Sequence, residues 1–204
     1  MRALELAAGA AHRRDLGHAP GPVASVTAGN AREATVAALV AAARQGDRAA
    51  FTGLYERFHR VVHAIALARV AACDAGDVVQ DAFTDAWHRL PRLRDPAAFP
   101  GWIVAIARSR AVDAARRRPR HDAAANLAAD LAVDPPPRLE AAAALRAIRE
   151  LPETYRETLM MRLVEGLSGL EIADHTGMSP DSVRVHLHRG MKLLRERLGE
   201  GGER

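Results

Sequence analysis

From Glu33 to Arg118 the apolar residues recur at helical spacing, interrupted where polar or conformationally special residues cluster. Val36, Leu39, Val40 and Ala43 share one face of a first helix, and Gly46-Asp47 breaks the pattern. Asp47 is placed to cap a second helix whose stripe is Phe51, Leu54, Tyr55, Phe58, Val62 and Ile65. Asp74 offers the next N-cap, with Asp77 in the first turn. The third helix then runs through Val78, Val79, Phe83, Ala86 and Trp87 until Pro91 stops it. A fourth starts near Asp95-Pro96, with an early irregularity at Pro100-Gly101. It continues through Ile103, Ile106, Ala107 and Val112 and ends among Arg116, Arg117, Arg118, Pro119 and Arg120. Four such helices make a compact bundle over residues 31–120.

The pattern then changes. Residues 121–137 hold three aspartates, no Lys or Arg, many alanines and a terminal Pro135-Pro136-Pro137, the composition of an extended acidic linker. Beyond it Leu139 to Arg149 and Pro152 to Val164 read as two helices. Ser168 with Glu171 forms a capping box for a short helix containing Leu170, Ile172 and Ala173. Thr176-Gly177-Met178 is a tight connection in which Gly177 can take positive φ. Ser179 caps the next helix, with Pro180 at its first position, where no amide donor is missed. That helix buries Val183, Leu187, Gly190, Leu194 and Leu198 along one face. Its other face offers Ser182, Arg184, His186, Arg189 and Lys192.

Helix, short glycine turn and helix, with donors and cations on the outer face of the second, is the arrangement that enters a DNA major groove. The bland alternative is a solvated charged face, which would not require the paired caps and glycine turn beside it.

Composition narrows the rest. Of 204 residues 49% are apolar, yet aromatics make up only 4%, so the fold class is all-α with cores of Ala, Leu and Val. The net charge is only +4, and all basic residues but Lys192 are arginine, a bias that a GC-rich coding sequence also produces. Charge alone therefore does not establish a nucleic-acid partner. The single Cys73 excludes an internal disulfide framework and fits a reducing cytoplasm; it reads as a small buried or half-buried residue. No apolar run approaches the roughly 20 residues that span a bilayer, and charges interrupt the N-terminus where a signal peptide stays apolar. Residues 1–30 read as a flexible extension, and 199–204 as a tail.

Two separated stretches resemble one family. Asp77-Val78-Val79-Gln80-Asp81-Ala82-Phe83 with Ala86-Trp87, then Phe99-Pro100-Gly101-Trp102-Ile103 with Ile106-Ala107-Arg108, Asp113 and the arginine cluster, resemble the second conserved region of bacterial sigma factors. Leu151-Pro152 with Arg156, Gly166-Leu167-Ser168 with Glu171-Ile172-Ala173, and Ser179-Pro180-Asp181-Ser182-Val183 resemble their fourth region. With only these two regions and a linker, the chain is similar to the extracytoplasmic-function (ECF) group over residues 31–198. It departs from the family at Ser109, where Asn is usual, at Ser182, where Thr is common, and at His186, a position that varies with promoter.

The resemblance implies a transcription initiation factor that binds core RNA polymerase, directs it to promoters and helps open the -10 region. Asp77, Val78, Gln80, Asp81, Phe83, Thr84 and Trp87 would then dock on the polymerase clamp helices. Arg94, Asp95, Phe99, Trp102, Arg108, Ser109, Asp113, Arg116 and Arg117 would hold the -10 non-template strand. Ser179, Asp181, Ser182, Arg184, Val185, His186, Arg189 and Lys192 would read the -35 duplex. Further implied partners are the flap of the large polymerase subunits and an anti-sigma factor, with the linker running toward the RNA exit path. No cofactor and no enzymatic activity are implied.

Energetics require the larger partner. Opening ten base-pair steps costs about 14 kcal/mol, whereas one unstacked base captured on a protein returns about 1–3 kcal/mol. No Gly-rich loop followed by Lys-Ser or Lys-Thr supplies nucleotide hydrolysis.

Several residues carry more than one reading. Phe99 and Trp102 suit base stacking or a helix-anchoring core position. Arg108, Arg110, Arg116, Arg117, Arg118 and Arg120 suit phosphates or a helix end complementing its dipole. Asp77 and Asp81, one turn apart, suit caps or a protein interface better than paired catalysis. His59 and His63 have zinc-helix spacing, but Arg60, Val61 and Val62 between them lack the glutamate of a metallohydrolase and no third ligand is evident. A polymerase-independent helix-turn-helix repressor or activator is the principal alternative, and a hydrolase built on His59 and His63 a remote one.

Overall fold

The computed structural model describes residues 34–117 and 136–201; the predicted extension, most of the predicted linker, and Arg118 to Arg120 lie outside them. The described residues form eight α-helices and no strand. The first four are α1 (Val36–Arg44), α2 (Arg48–Leu67), α3 (Ala72–Arg89) and α4 (Phe99–Arg117), with short 3-10 turns at Leu90–Arg92 and Pro96–Ala98. Then follow α5 (Pro136–Arg149), α6 (Glu153–Leu159), which widens into a π turn at Met160–Val164, α7 (Gly169–Thr176) and α8 (Pro180–Gly201).

In the first module α2 is the central element. Asp47 caps it by accepting from the amides of Ala49 and Ala50, as predicted. Phe58 and Phe99 meet edge to face in the core, 5.2 Å apart, with Leu54, Ile65 and Ile103 fully buried around them. Two boundaries differ from expectation. α3 starts at Ala72 after an N-cap Ala71 that makes no side-chain bond, so Asp74 lies in the first turn instead of capping it. Pro100 and Gly101 cause no irregularity in α4: at the first turn proline forfeits no hydrogen bond, and the break falls earlier, in the 3-10 turn that Asp95 caps.

The second module follows its local signals. Ser168 and Glu171 form the reciprocal capping box, Gly177 takes φ 73°, and Ser179 Oγ accepts from the Ser182 amide. Gly190 allows α8 to approach α6 closely, since a Cβ there would lie 3.1 Å from both Leu159 Cδ1 and Tyr155 Cβ. At its start α5 reaches back to Pro136, so the proline run assigned to the linker enters the helix; proline's fixed φ is compatible with a first turn.

The sequence suggested two modules tethered by a linker; the structure also packs them face to face. α2 turns one side to α1, α3 and α4 and the other to the Met160–Val164 turn and α7. The C-terminal carbonyls of α2 are bonded from across this boundary. Arg149 Nε donates to Leu67 O (2.9 Å) and Arg156 Nη1 to Ala68 O (3.1 Å), covering groups that a helix end leaves without partners.

Candidate polymerase and nucleic-acid interfaces

α8 is oriented by what it buries. Val183 and Leu194 are inside and Gly190 seats against α6, so Ser179, Asp181, Ser182, Arg184, Val185, Arg189 and Lys192 face solvent. Arg184 pairs with Asp181 at 3.1 Å and Lys192 approaches Glu196 at 4.0 Å, with all four side chains at least half exposed. Exposed pairs of this kind are worth about 0–1 kcal/mol, so they yield readily to a phosphate or base edge. His186 departs from the predicted outer face. Its ring meets Tyr155 edge-on at 5.8 Å and its Nδ1 is enclosed without a partner, because its position on the helix faces α6. Leu198, predicted to be buried, is 44% exposed.

On α3, Asp77, Gln80, Asp81 and Thr84 are exposed along one side. Val78 and Phe83 are buried, which corrects their assignment to the docking face; Phe83 packs on Phe51 and Tyr55 of α2. Trp87 is half-buried, edge-on to Phe51 at 4.8 Å, while Tyr55 stacks on His59 and lies 4.7 Å from Phe83. Half-exposed aromatics thus border the acidic face, a feature that helical periodicity assigned wholly to the core.

Along α4, Phe99 is fully buried and has no face for a base, so its predicted strand contact gives way to a core role beneath the half-exposed Trp102. Arg94, Asp95, Ser109, Arg116 and Arg117 are exposed, and Asp113 is half-buried. Arg110 pairs with Asp85 of α3, whose hydrogen bond holds its guanidinium above the ordinary arginine value. Arg108 is engaged by the second module. Its Nε and Nη2 fork onto Glu157 of α6 at 3.1 and 2.7 Å. That hydrogen bond outweighs burial and raises the Arg108 pKa.

Nothing in the sequence advertised the groups that join the modules. Glu157, 5% exposed, also accepts from Arg69 Nη2 at 2.6 Å. His63 Nδ1 lies 2.6 Å from Glu165 Oε1, and His175 Nε2 lies 2.9 Å from the Arg57 carbonyl. Each looks like an ordinary surface residue of an isolated helix. A cleft of about 320 Å³ opens in the second module beside Glu157, walled by Met178 and His186 among others, with Arg108 of α4 at its edge. His59 and His63 do not converge: His59 Nδ1 turns to the Glu56 carbonyl. Cys73 is exposed, contrary to its predicted burial, because α3 begins just before it.

Family comparisons match these halves separately. Sigma-70 region 2 matches residues 54–121 and Sigma-70 region 4 matches residues 141–194. RNA polymerase sigma factor CarQ of Myxococcus xanthus is 33% identical over 77% of this chain and 94% of its own length. ECF RNA polymerase sigma factor SigM of Mycobacterium tuberculosis is 31% identical over 84% and 88%. The chain belongs to the ECF sigma factors. Probable sigma factor RfaY of Xanthomonas campestris is 35% identical over 76% of the chain, which spans 42% of that longer protein. Among solved structures, CnrH in complex with the cytosolic domain of CnrY shares 27% identity at TM-score 0.56, covering 81% of this sigma factor and 97% of CnrH. As an ECF sigma factor the chain is a transcription initiation protein that directs RNA polymerase to promoters, with its helix-turn-helix in region 4.

Proposed function

We propose that this sigma factor works as two readers held by polymerase, with residues 31–120 taking the clamp helices and the -10 non-template strand and residues 138–198 the -35 duplex. α3 presents Asp77, Gln80, Asp81 and Thr84 to the clamp. Trp102, Arg108, Ser109 and Arg116 of α4 face the strand, and α8 enters the groove with Arg184 and Arg189. The flap of the large subunits carries the second module. No step of the reaction is catalysed by this chain, which acts in the cytoplasm on DNA bound to polymerase. The observation that carries the reading is the outward polar face of α8 behind an intact capping box and glycine turn.

Distance adds a condition. Elements 25 base pairs apart lie about 85 Å apart along a duplex at roughly 3.4 Å per pair, yet Arg108 and His186 here line one cleft. Simultaneous engagement therefore requires the modules to separate. The 19 steps of chain from Arg117 to Pro136 reach at most about 65 Å, enough once the widths of both modules are added. By similarity to CnrH, whose structure holds the cytosolic domain of CnrY, a protein anti-sigma factor is a further partner.

Run-off transcription from the native promoters with core polymerase and purified chain is the test. Specific transcripts are expected, and their consistent absence overturns the reading. Sequence-specific duplex binding of nanomolar strength without polymerase favours the conventional regulator instead. Asp81→Ala is expected to weaken polymerase association while leaving helical content intact.

A further inference from the structure

Arg108 and Arg69 differ from Arg110 in where their counter-charge comes from. Arg110 is neutralised inside its own module by Asp85. The ion pairs of Arg69 are with Glu153 and Glu157, and that of Arg108 is with Glu157, all from α6 of the other module. The two guanidiniums converge on one carboxylate: Glu157 Oε1 accepts from Arg69 Nη2 (2.6 Å) and Arg108 Nε (3.1 Å), and Oε2 from Arg108 Nη2 (2.7 Å). Arg69 is itself anchored, its Nη1 donating to the Ile65 carbonyl at 3.2 Å. Its side chain is only 7% exposed while the second module covers it, and the Ile65 bond ties it to the first module.

Separating the modules leaves two neighbouring cations without their acid. A singly charged oxyanion with two free oxygens restores the arrangement, and a phosphodiester presents that group to guanidinium forks as a carboxylate does. We propose that Arg69 and Arg108 form a seat for a backbone phosphate of the displaced promoter strand, and that Glu157 fills this seat while the modules are together. Glu157 thereby acts as an internal stand-in for DNA, and strand capture and module closure exclude one another. The inference rests on reading α4 as the strand-binding helix and adds to it Arg69, a residue from outside α4.

The test uses the full chain, a labelled mixed-sequence single strand of about twelve nucleotides, fluorescence anisotropy across a salt series, and small-angle scattering. Glu157→Gln, isosteric but uncharged, is expected to enlarge the radius of gyration and raise strand affinity about five- to tenfold. In that background Arg69→Gln is expected to abolish the gain and to flatten the log–log salt slope by about 0.7, the contribution of one single-strand phosphate. Glu157→Asp, too short to span both guanidiniums, is expected to act in the same direction and serves if the Gln variant loses helical circular dichroism. An unchanged affinity in Glu157→Gln, or equal affinity with and without Arg69, overturns the seat. Arg116→Gln with Arg117→Gln in the same background scores the underlying reading separately. A loss there with none at Arg69 rejects the seat alone, and no loss at either rejects both.

Discussion

The two modules are held together by different means. The first relies on mass: Phe58, Phe99, Leu54, Ile65 and Ile103 lie at the centre of four helices, and its caps are secondary to that core. The second has Tyr155 as its one aromatic residue among 136–201, and beside an aliphatic core of Ile148, Leu159, Met160 and Val183 it leans on local geometry, a capping box, a left-handed glycine and a glycine contact between α6 and α8. A module that must bind a large partner can afford a broad interior, whereas one that must aim a single helix into a groove gains more from fixed turns.

This contrast orders the expected effects of substitution. Phe58→Ala should cost the most, about 3–5 kcal/mol, by opening a cavity at the Phe99 contact. Thermal unfolding would show it, and a single shifted transition would mean that the interface couples both modules, against the view of them as separable. Gly190→Val comes next at about 1–3 kcal/mol, since the added atoms meet Leu159 and Tyr155. It should displace α8 and reduce -35 binding more than it reduces polymerase association. Ser168→Ala should cost about 1 kcal/mol through the lost cap, measurable as local amide exchange in α7.

The smallest effect is one of pH. The Glu171 carboxyl is held below its ordinary value by the backbone and hydroxyl hydrogen bonds of Ser168. A depressed folded-state pKa means its contribution is complete above the usual glutamate range and fades as pH falls through the lowered value. Exchange protection of α7 should therefore weaken on acidification, and Glu171→Gln should remove most of that dependence.

The same contrast explains what the sequence revealed. Caps at Asp47, Ser168 and Ser179 and the turn at Gly177 were legible because each is a local bargain between a side chain and an amide a few residues away. The stripes of α2 and α8 were legible because burial repeats at helical spacing. The start of α3 was not, since Ala71 makes no side-chain cap bond. Spacing along α4 suits Phe99 equally to base stacking and to the core, and only its burial decides between them. Glu157 was least visible of all: among Glu153, Thr154 and Arg156 it looks like a solvated helix charge, while its partners Arg69 and Arg108 stand 88 and 49 positions away. Non-local ion pairs have no period.

The α2 terminus carries one more consequence. Because Arg149 and Arg156 supply donors to Leu67 and Ala68 from outside their own module, a fragment cut before residue 136 returns both oxygens to solvent. Dissection of the chain into halves would then report a frayed last turn that the closed form of the molecule does not have.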